Sequence, residues 1–333
     1  MIVPEKSQEL IIDAADAESL EAEALIKEAR QRQRKRQLFI AVVVLVVALG
    51  SVIWVASAAG TRAPSSNKTG PGKSAGGAGL AGSRHANPLQ LVGVWRVTGT
   101  GQHRPAIASI GGLGLVVWQS CGWMSGDWNA NQQGLFAGIL SGGVPACASS
   151  YASLNPAWLA ATGYKGDGRD ELLLAADGRV LAHLVPTTVP PSYARAMSPD
   201  YLHPVVTPQL RKVLLQVSRP LPSGLAQVST KQLRGRWGPA KASPGHAPHQ
   251  AYLSFNADGD WSGSDGCNGL YGRWSLGSGA TILVATGPQT TMACTGMTPV
   301  GGWLSQATRA AFQGSVLVFV NAGGKVTGRL RRE

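Results

Sequence analysis

From Leu38 to Val55 the chain carries no charge, reading LFIAVVVLVVALG and then Val52, Ile53, Trp54 and Val55. About 20 apolar residues span a bilayer as a helix, so residues 38–59 are predicted to form one transmembrane helix. Upstream, Leu10, Ile11, Ala14, Leu20, Ala24, Leu25 and Ile26 fall at helical spacing among Asp16, Glu18, Glu21, Glu23 and Glu28. That spacing predicts a short amphipathic helix within residues 1–37. Downstream the pattern shifts to short β-type runs such as Leu253-Ser254-Phe255 and Val316–Val320, with hairpin-type dipeptides at Asp177-Gly178 and Asp258-Gly259. Short helices are expected at 155–162 and at 301–312, where Trp303, Leu304, Ala307, Ala311 and Phe312 recur at helical spacing.

The pattern after residue 88 occurs twice. Leu91-Val92-Gly93-Val94-Trp95 matches Leu233-Arg234-Gly235-Arg236-Trp237 at an offset of 142. Cys121, Gly126 and Trp128 match Cys267, Gly272 and Trp274 at 146, and Ala146-Cys147 matches Ala293-Cys294 at 147. Trp158-Leu159 matches Trp303-Leu304, and Asp177–Val180 matches Gly323–Val326. Ordered landmarks at nearly constant offset are read as two copies of one domain, residues 88–186 and 229–333. Between them, residues 187–228 hold eight prolines with Pro186 counted, which excludes long regular structure; Gln209–Val217 is expected to form a short helix. Residues 60–87 are rich in Gly, Pro and Ser and read as a flexible tether. Gly77-Ala78-Gly79-Leu80-Ala81-Gly82 matches a dinucleotide fingerprint only in form, because no strand precedes it and no helix-forming run follows.

Charge orients this layout. Arg30, Arg32, Arg34, Lys35 and Arg36 precede the apolar span, and basic residues hold their end of a span in the cytoplasm. Residues 1–37 are therefore expected inside and the two copies outside, in a single-pass membrane protein. Ala56-Ser57-Ala58 resembles a cleavage site, so release after Ala58 stays open; the length of the span and of the segment before it favour a retained anchor. Of the 30 Lys/Arg and 18 Asp/Glu, residues 1–37 hold 7 and 8, which leaves a strongly basic exterior. Such a surface favours an anionic cell-wall, lipid or protein partner. The cations are scattered and the compartment is exterior, so nucleic acid is excluded as a partner.

Two cysteines stand in each copy, 26 and 27 residues apart. An exported chain with an even count implies disulfides, and three pairings are open. The repeat selects Cys121–Cys147 and Cys267–Cys294, because equivalent positions should pair equivalently. No C-x-x-C is present, so neither a zinc site nor redox chemistry is expected. A nucleophile elbow is absent. His246 and His249 stand close in a Pro-rich loop but lack a third ligand. Asn256, Asp258 and Asp260 alternate as calcium ligands do, yet lack the later Gly and Glu, and fit a hairpin turn better. Trp95, Trp128, Trp158, Trp237, Trp274 and Trp303 recur in both copies and read as core; Trp118, Trp123 and Trp261 do not recur and are the candidates for a surface groove, core being preferred. No catalytic residue, cofactor site or metal site is expected, so the protein reads as non-enzymatic.

The second copy resembles the META domain (HslJ-like) family. The matching residues are Leu233-x-Gly235-x-Trp237, Leu253-Ser254-Phe255, Gly263-Ser264-Asp265-Gly266-Cys267-Asn268 and Thr291-Met292-Ala293-Cys294. The motif residues are thus Asp265, Gly266, Cys267, Asn268, Met292, Ala293 and Cys294. The first copy is similar but degenerate: Gly122 stands in place of Asn268 and Pro145 in place of Met292. The family usually opens the helix after its MAC motif with Glu, whereas this chain has Thr298-Pro299-Val300-Gly301-Gly302. The resemblance implies a small β-rich domain similar to a cracked barrel with a helix. Together with the strand pattern, the repeat and the apolar span, the expected fold is α+β and mainly antiparallel: two tandem cracked-barrel-like sheets, each with a short helix, following one transmembrane helix. It also implies an envelope-stress or binding role at the cell surface, with no catalytic residues to carry over. The alternative expectation is transmembrane signalling, with the exterior copies sensing a ligand and the cytoplasmic helix contacting a regulator.

Overall fold

The computed structural model describes residues 86–100, 106–119, 122–145, 157–194, 197–241, 247–292 and 294–333. The expected amphipathic helix, transmembrane helix and nearly all of the tether lie outside these residues, as do Cys121, Cys147, Ala293 and His246. Among the described residues no helix is long and apolar enough to cross a membrane.

Eight antiparallel strands form a first sheet. They are β1 (Gly93–Thr98), β2 (Ala106–Gly111), β3 (Gly114–Gln119), β4 (Gly122–Ala130), β5 (Phe136–Pro145), β6 (Gly163–Asp167), β7 (Asp170–Leu174) and β8 (Val180–Pro186). Their spatial order is 5-4-3-2-1-8-7-6. The second sheet holds β9 (Ala226–Gln227), β10 (Gly235–Pro239), β11 (Tyr252–Phe255), β12 (Asp260–Ser264), β13 (Gly269–Leu276), β14 (Ile282–Thr286), β15 (Arg309–Gln313), β16 (Val316–Val320) and β17 (Val326–Arg332). Its order is 14-13-12-11-10-17-16-15-9, the same path with one short strand added at the edge. Each sheet curls until its first and last long strands meet at one bridge, Leu135 with Gly163 and Thr281 with Arg309. Those bridges are 146 residues apart. Among the described residues no other bridge joins those edges, so each unit is a barrel closed at that point and cracked along the rest.

Two backbone details recur. Trp95 donates its indole N–H to Leu91 O at 2.8 Å, and Trp237 donates to Leu233 O at 2.8 Å. A Cβ on Gly126 would run into the carbonyl oxygen of Ile139, and one on Gly272 into that of Ala285. Both glycines let a long strand cross its neighbour at a distance no side chain allows. The barrels fill with inward-pointing residues: Trp95, Leu115, Trp128, Phe136, Trp158 and Leu173 in the first, and Trp237, Phe255, Trp261, Trp274, Leu304 and Phe319 in the second. In the second, Phe255 meets Trp274 edge-on at 5.7 Å and Phe319 at 6.3 Å.

The helices are shorter than their patterns. The first copy has a single 3-10 turn, Ala157–Ala160, in place of residues 155–162. In the second, the helix stops at Val300–Ser305 and Arg309–Gln313 is strand β15. Ala311 and Phe312 therefore belong to a sheet; pairing with Val316–Val318 overrides the helical spacing. Between the barrels, α1 (Pro191–Ala194), α2 (Pro199–Leu202) and α3 (Pro208–Leu214) each begin at a proline. Proline has no N–H to lose at the first helical position, so it starts these helices rather than preventing them. The Thr207 hydroxyl caps α3 by accepting from Leu210 N at 3.1 Å. α4 (Thr230–Leu233) precedes β10 with a Ser229/Gln232 capping box, and α5 is Val300–Ser305.

Candidate functional site

The motif residues of the second barrel meet where the β12–β13 turn faces the long β14–α5 connection. The Asp265 carboxylate accepts from Cys267 N at 2.8 Å and from Asn268 N at 2.6 Å, which folds the turn. Gly266 sits at φ +98, and a Cβ there would press on Ala247 and His249 O. Asn268, only 5% exposed, reaches across: its Oδ1 accepts from Met292 N at 2.7 Å and its Nδ2 donates to Met292 O and Asp265 Oδ2, both at 3.1 Å. Cys267 and Cys294 are bonded, with Cα atoms 6.2 Å apart, within the span a disulfide bridges. Thr298 N donates to Asp265 O at 2.8 Å. Met292 is 60% exposed, so its side chain is free while its backbone is held. These residues act together as a clamp that ties a structureless connection to a hairpin, and the Asp265 carboxylate is spent on that work.

Residues 231–333 match the META domain. No curated protein and no solved structure matches the chain. The META half contains every one of the motif residues; the corresponding turn and loop of the first barrel, with Cys121 and Cys147, lie outside the described residues.

Other sequence candidates resolve into structure. Asp258 Oδ1 accepts from Asp260 N at 3.0 Å, and Asp260 pairs with Arg273 at 2.6 Å, so this trio is a hairpin turn held by a salt bridge. Trp261 lies in the META core. Trp118 is buried, but on the outer face of β3, where it pairs across strands with Trp123. Among the described residues no three His, Cys, Asp or Glu side chains gather as metal ligands do.

Two features escaped the sequence reading. The first is Glu171 on β7, 4% exposed, which shares the inward face with Leu173 and leaves Oε2 without a partner. Burial raises its carboxyl to about 7. Burial, with the nearby Glu171 charge, also pushes Tyr164 upward. The META residue at the same register is Leu317.

The second is the seam between the barrels. Ala137 and Ile139 of β5 pack on Leu283 and Ala285 of β14, so each half offers the same patch, as in a two-fold dimer. Asn129 Nδ2 donates to Val284 O at 3.1 Å, Ser275 Oγ donates to Phe136 O at 2.6 Å, and Thr286 N donates to Asp127 Oδ2 at 3.1 Å. Burial pushes the Asp127 carboxyl up, against the pull of the Thr286 and Trp128 amides. The signal for this seam lies in the strands themselves. Phe136–Leu140 and Ile282–Ala285 are apolar on both faces, where a sheet with one solvated face would alternate.

Proposed function

We propose that the chain is a single-pass membrane protein whose two exterior barrels form a non-enzymatic binding module for an anionic surface polymer. Cation placement carries this reading. Residues 229–333 hold 10 Lys/Arg against 4 Asp/Glu, whereas residues 88–186 hold 5 of each. Arg236, Arg329 and Arg331 face outward on the adjoining strands β10 and β17, with Lys231 and Arg234 exposed on the α4 side. Arg236 lies over the Tyr252 ring at 3.4 Å, which holds one guanidinium flat against the surface. Glu333 pairs with Arg236 and offsets one charge of the group. A one-sign patch raises the local concentration of oppositely charged ligands and sets a salt-dependent affinity. The clamp motif supports binding over catalysis, since its carboxylate, amide and sulfurs are occupied with each other.

The test uses the full chain in nanodiscs of uncharged lipid, with poly(glycerol phosphate) as the probe and dextran as the neutral control. The Arg329→Gln/Arg331→Gln variant is expected to bind the polyanion about 30-fold more weakly, at roughly 1 kcal/mol per cation. Unchanged affinity, or equal affinity for dextran, would refute the reading. Placement is tested by protease treatment of intact cells: the META half should be cut without lysis, and its protection would place it inside.

A further inference from the structure

At one end of the seam lies a cleft of about 400 Å³. Its walls come from β4 and β14, from the α5–β15 and β16–β17 turns, and from the end of α3 and the residues after it, Val213, Gln216 and Ser218. The two-fold relation of the halves explains why it is open. At one end of the seam Leu135 presses against Gly277, where a Cβ would come within 3.0 Å of it. The equivalents 146 residues away are Thr281 for Leu135 and Asn131 for Gly277, and both line the cleft at the other end. One end of the dyad is plugged by an apolar side chain. The other is left as a space edged by a hydroxyl and an amide.

We infer that this cleft binds an uncharged glycan segment. None of the residues lining it is ionisable, on a chain of net charge +12. Its polar groups are amides and hydroxyls: Asn129, Asn131, Gln216, Ser305, Gln306 and Thr308. Thr281, 6% exposed, and Thr308 both leave their hydroxyl oxygens enclosed without a partner in the protein. An orphaned hydroxyl both donates and accepts, and a sugar hydroxyl answers both needs. Val213, exposed, and Ala322, half-buried, supply apolar surface for the C–H face of a ring. The volume falls in the range of small-molecule sites. A peptide adding to the edge of β14 is disfavoured, because Val284 O is taken by Asn129, Thr286 N by Asp127 and Ile282 N by Thr308 O. This ligand is separate from the anionic polymer above, and the cleft stands or falls without the β10–β17 cations.

The experiment titrates the full chain in nanodiscs with tri-N-acetylchitotriose, cellotriose and an uncharged tripeptide, read by calorimetry. At least one trisaccharide is expected to bind saturably. Thr281→Leu, which copies the Leu135 plug, should weaken it at least tenfold, and Thr308→Val about fivefold, one hydrogen bond's worth. Gln306→Trp fills the cleft from an exposed rim position and should also block binding, so the result does not depend on how a buried substitution folds. Arg329→Gln/Arg331→Gln should leave trisaccharide binding unchanged. No binding at millimolar trisaccharide, equal binding by Gln306→Trp, or binding of the tripeptide alone would overturn the inference.

Discussion

The two barrels share a path and differ in the residues set along it. The strand order, the closing bridges, the Trp-to-Leu carbonyl bonds and the close approaches at Gly126 and Gly272 occur in both. All of these are demands of curling a sheet into a barrel. What differs is the sequence at the clamp positions, where Gly122 and Pro145 stand for Asn268 and Met292, the charge, and the interior, where Leu115 stands against Trp261, Leu173 against Phe319 and, most unlike, Glu171 against Leu317. Geometry has been retained in both halves while surface and rim chemistry has diverged, which is how one scaffold comes to carry unlike sites.

The sharpest way to break this comparison is to substitute the shared glycines. Gly126→Ala and Gly272→Ala each place a methyl inside a backbone carbonyl that pairing holds fixed, and each should cost about 4 kcal/mol or more. Chemical unfolding of the purified protein measures both. A loss below 1 kcal/mol at either site, against a large loss at the other, would show that the registers are not equivalent.

Those glycines also show how much was legible beforehand. Gly126 and Gly272 were visible as repeat landmarks because the same steric need fixed the same residue twice. The strands Leu253–Phe255 and Val316–Val320 were visible because one face alternates or both are buried. The helix predicted over 301–312 misled because Ala311 and Phe312 satisfy a helical stripe and a strand equally well, and only the distant partner Val316–Val318 decides. The motif residues could be listed, but their work as a clamp could not, since Asn268 reaches Met292 across 24 residues. The cleft was illegible for the same reason: Asn129 and Thr281 meet only after both barrels have closed and packed.

The next largest effect separates the halves. Cys267→Ser with Cys294→Ser should cost about 3–4 kcal/mol by the loop-entropy argument, with the loss confined to the META half in hydrogen exchange. Asn268→Ala should cost about 1–2 kcal/mol, because it removes three half-buried hydrogen bonds, to Met292 N, Met292 O and Asp265 Oδ2. Protection that falls equally in both barrels would mean that the seam couples them into one unfolding unit.

Glu171 offers a pH test of the interior difference. Its folded carboxyl, at about 7, lies above the value of 4.5 it has in water. The folded state therefore holds a proton that the unfolded chain has lost between those values, and stability falls as pH rises through that window. Glu171→Leu, the META residue, should remove the slope. It should stabilise the protein by about 2–3 kcal/mol at pH 8 and far less at pH 4. An equal gain at both pH values would assign the effect to packing alone.

The smallest effect tests the feature most faithfully repeated. Trp95→Phe and Trp237→Phe keep an aromatic ring and delete only the N–H that reaches Leu91 O or Leu233 O. Each should cost about 1–2 kcal/mol, with the orphaned carbonyl included. The two sites lie in separate cores and share no partner, so the double variant should lose the sum. In the META half Arg332 stacks over the Trp237 ring at 4.5 Å, a contact Phe would keep more weakly. Trp237→Phe should therefore cost slightly more than Trp95→Phe. The reverse order would mean that the first barrel leans harder on this bond than the second.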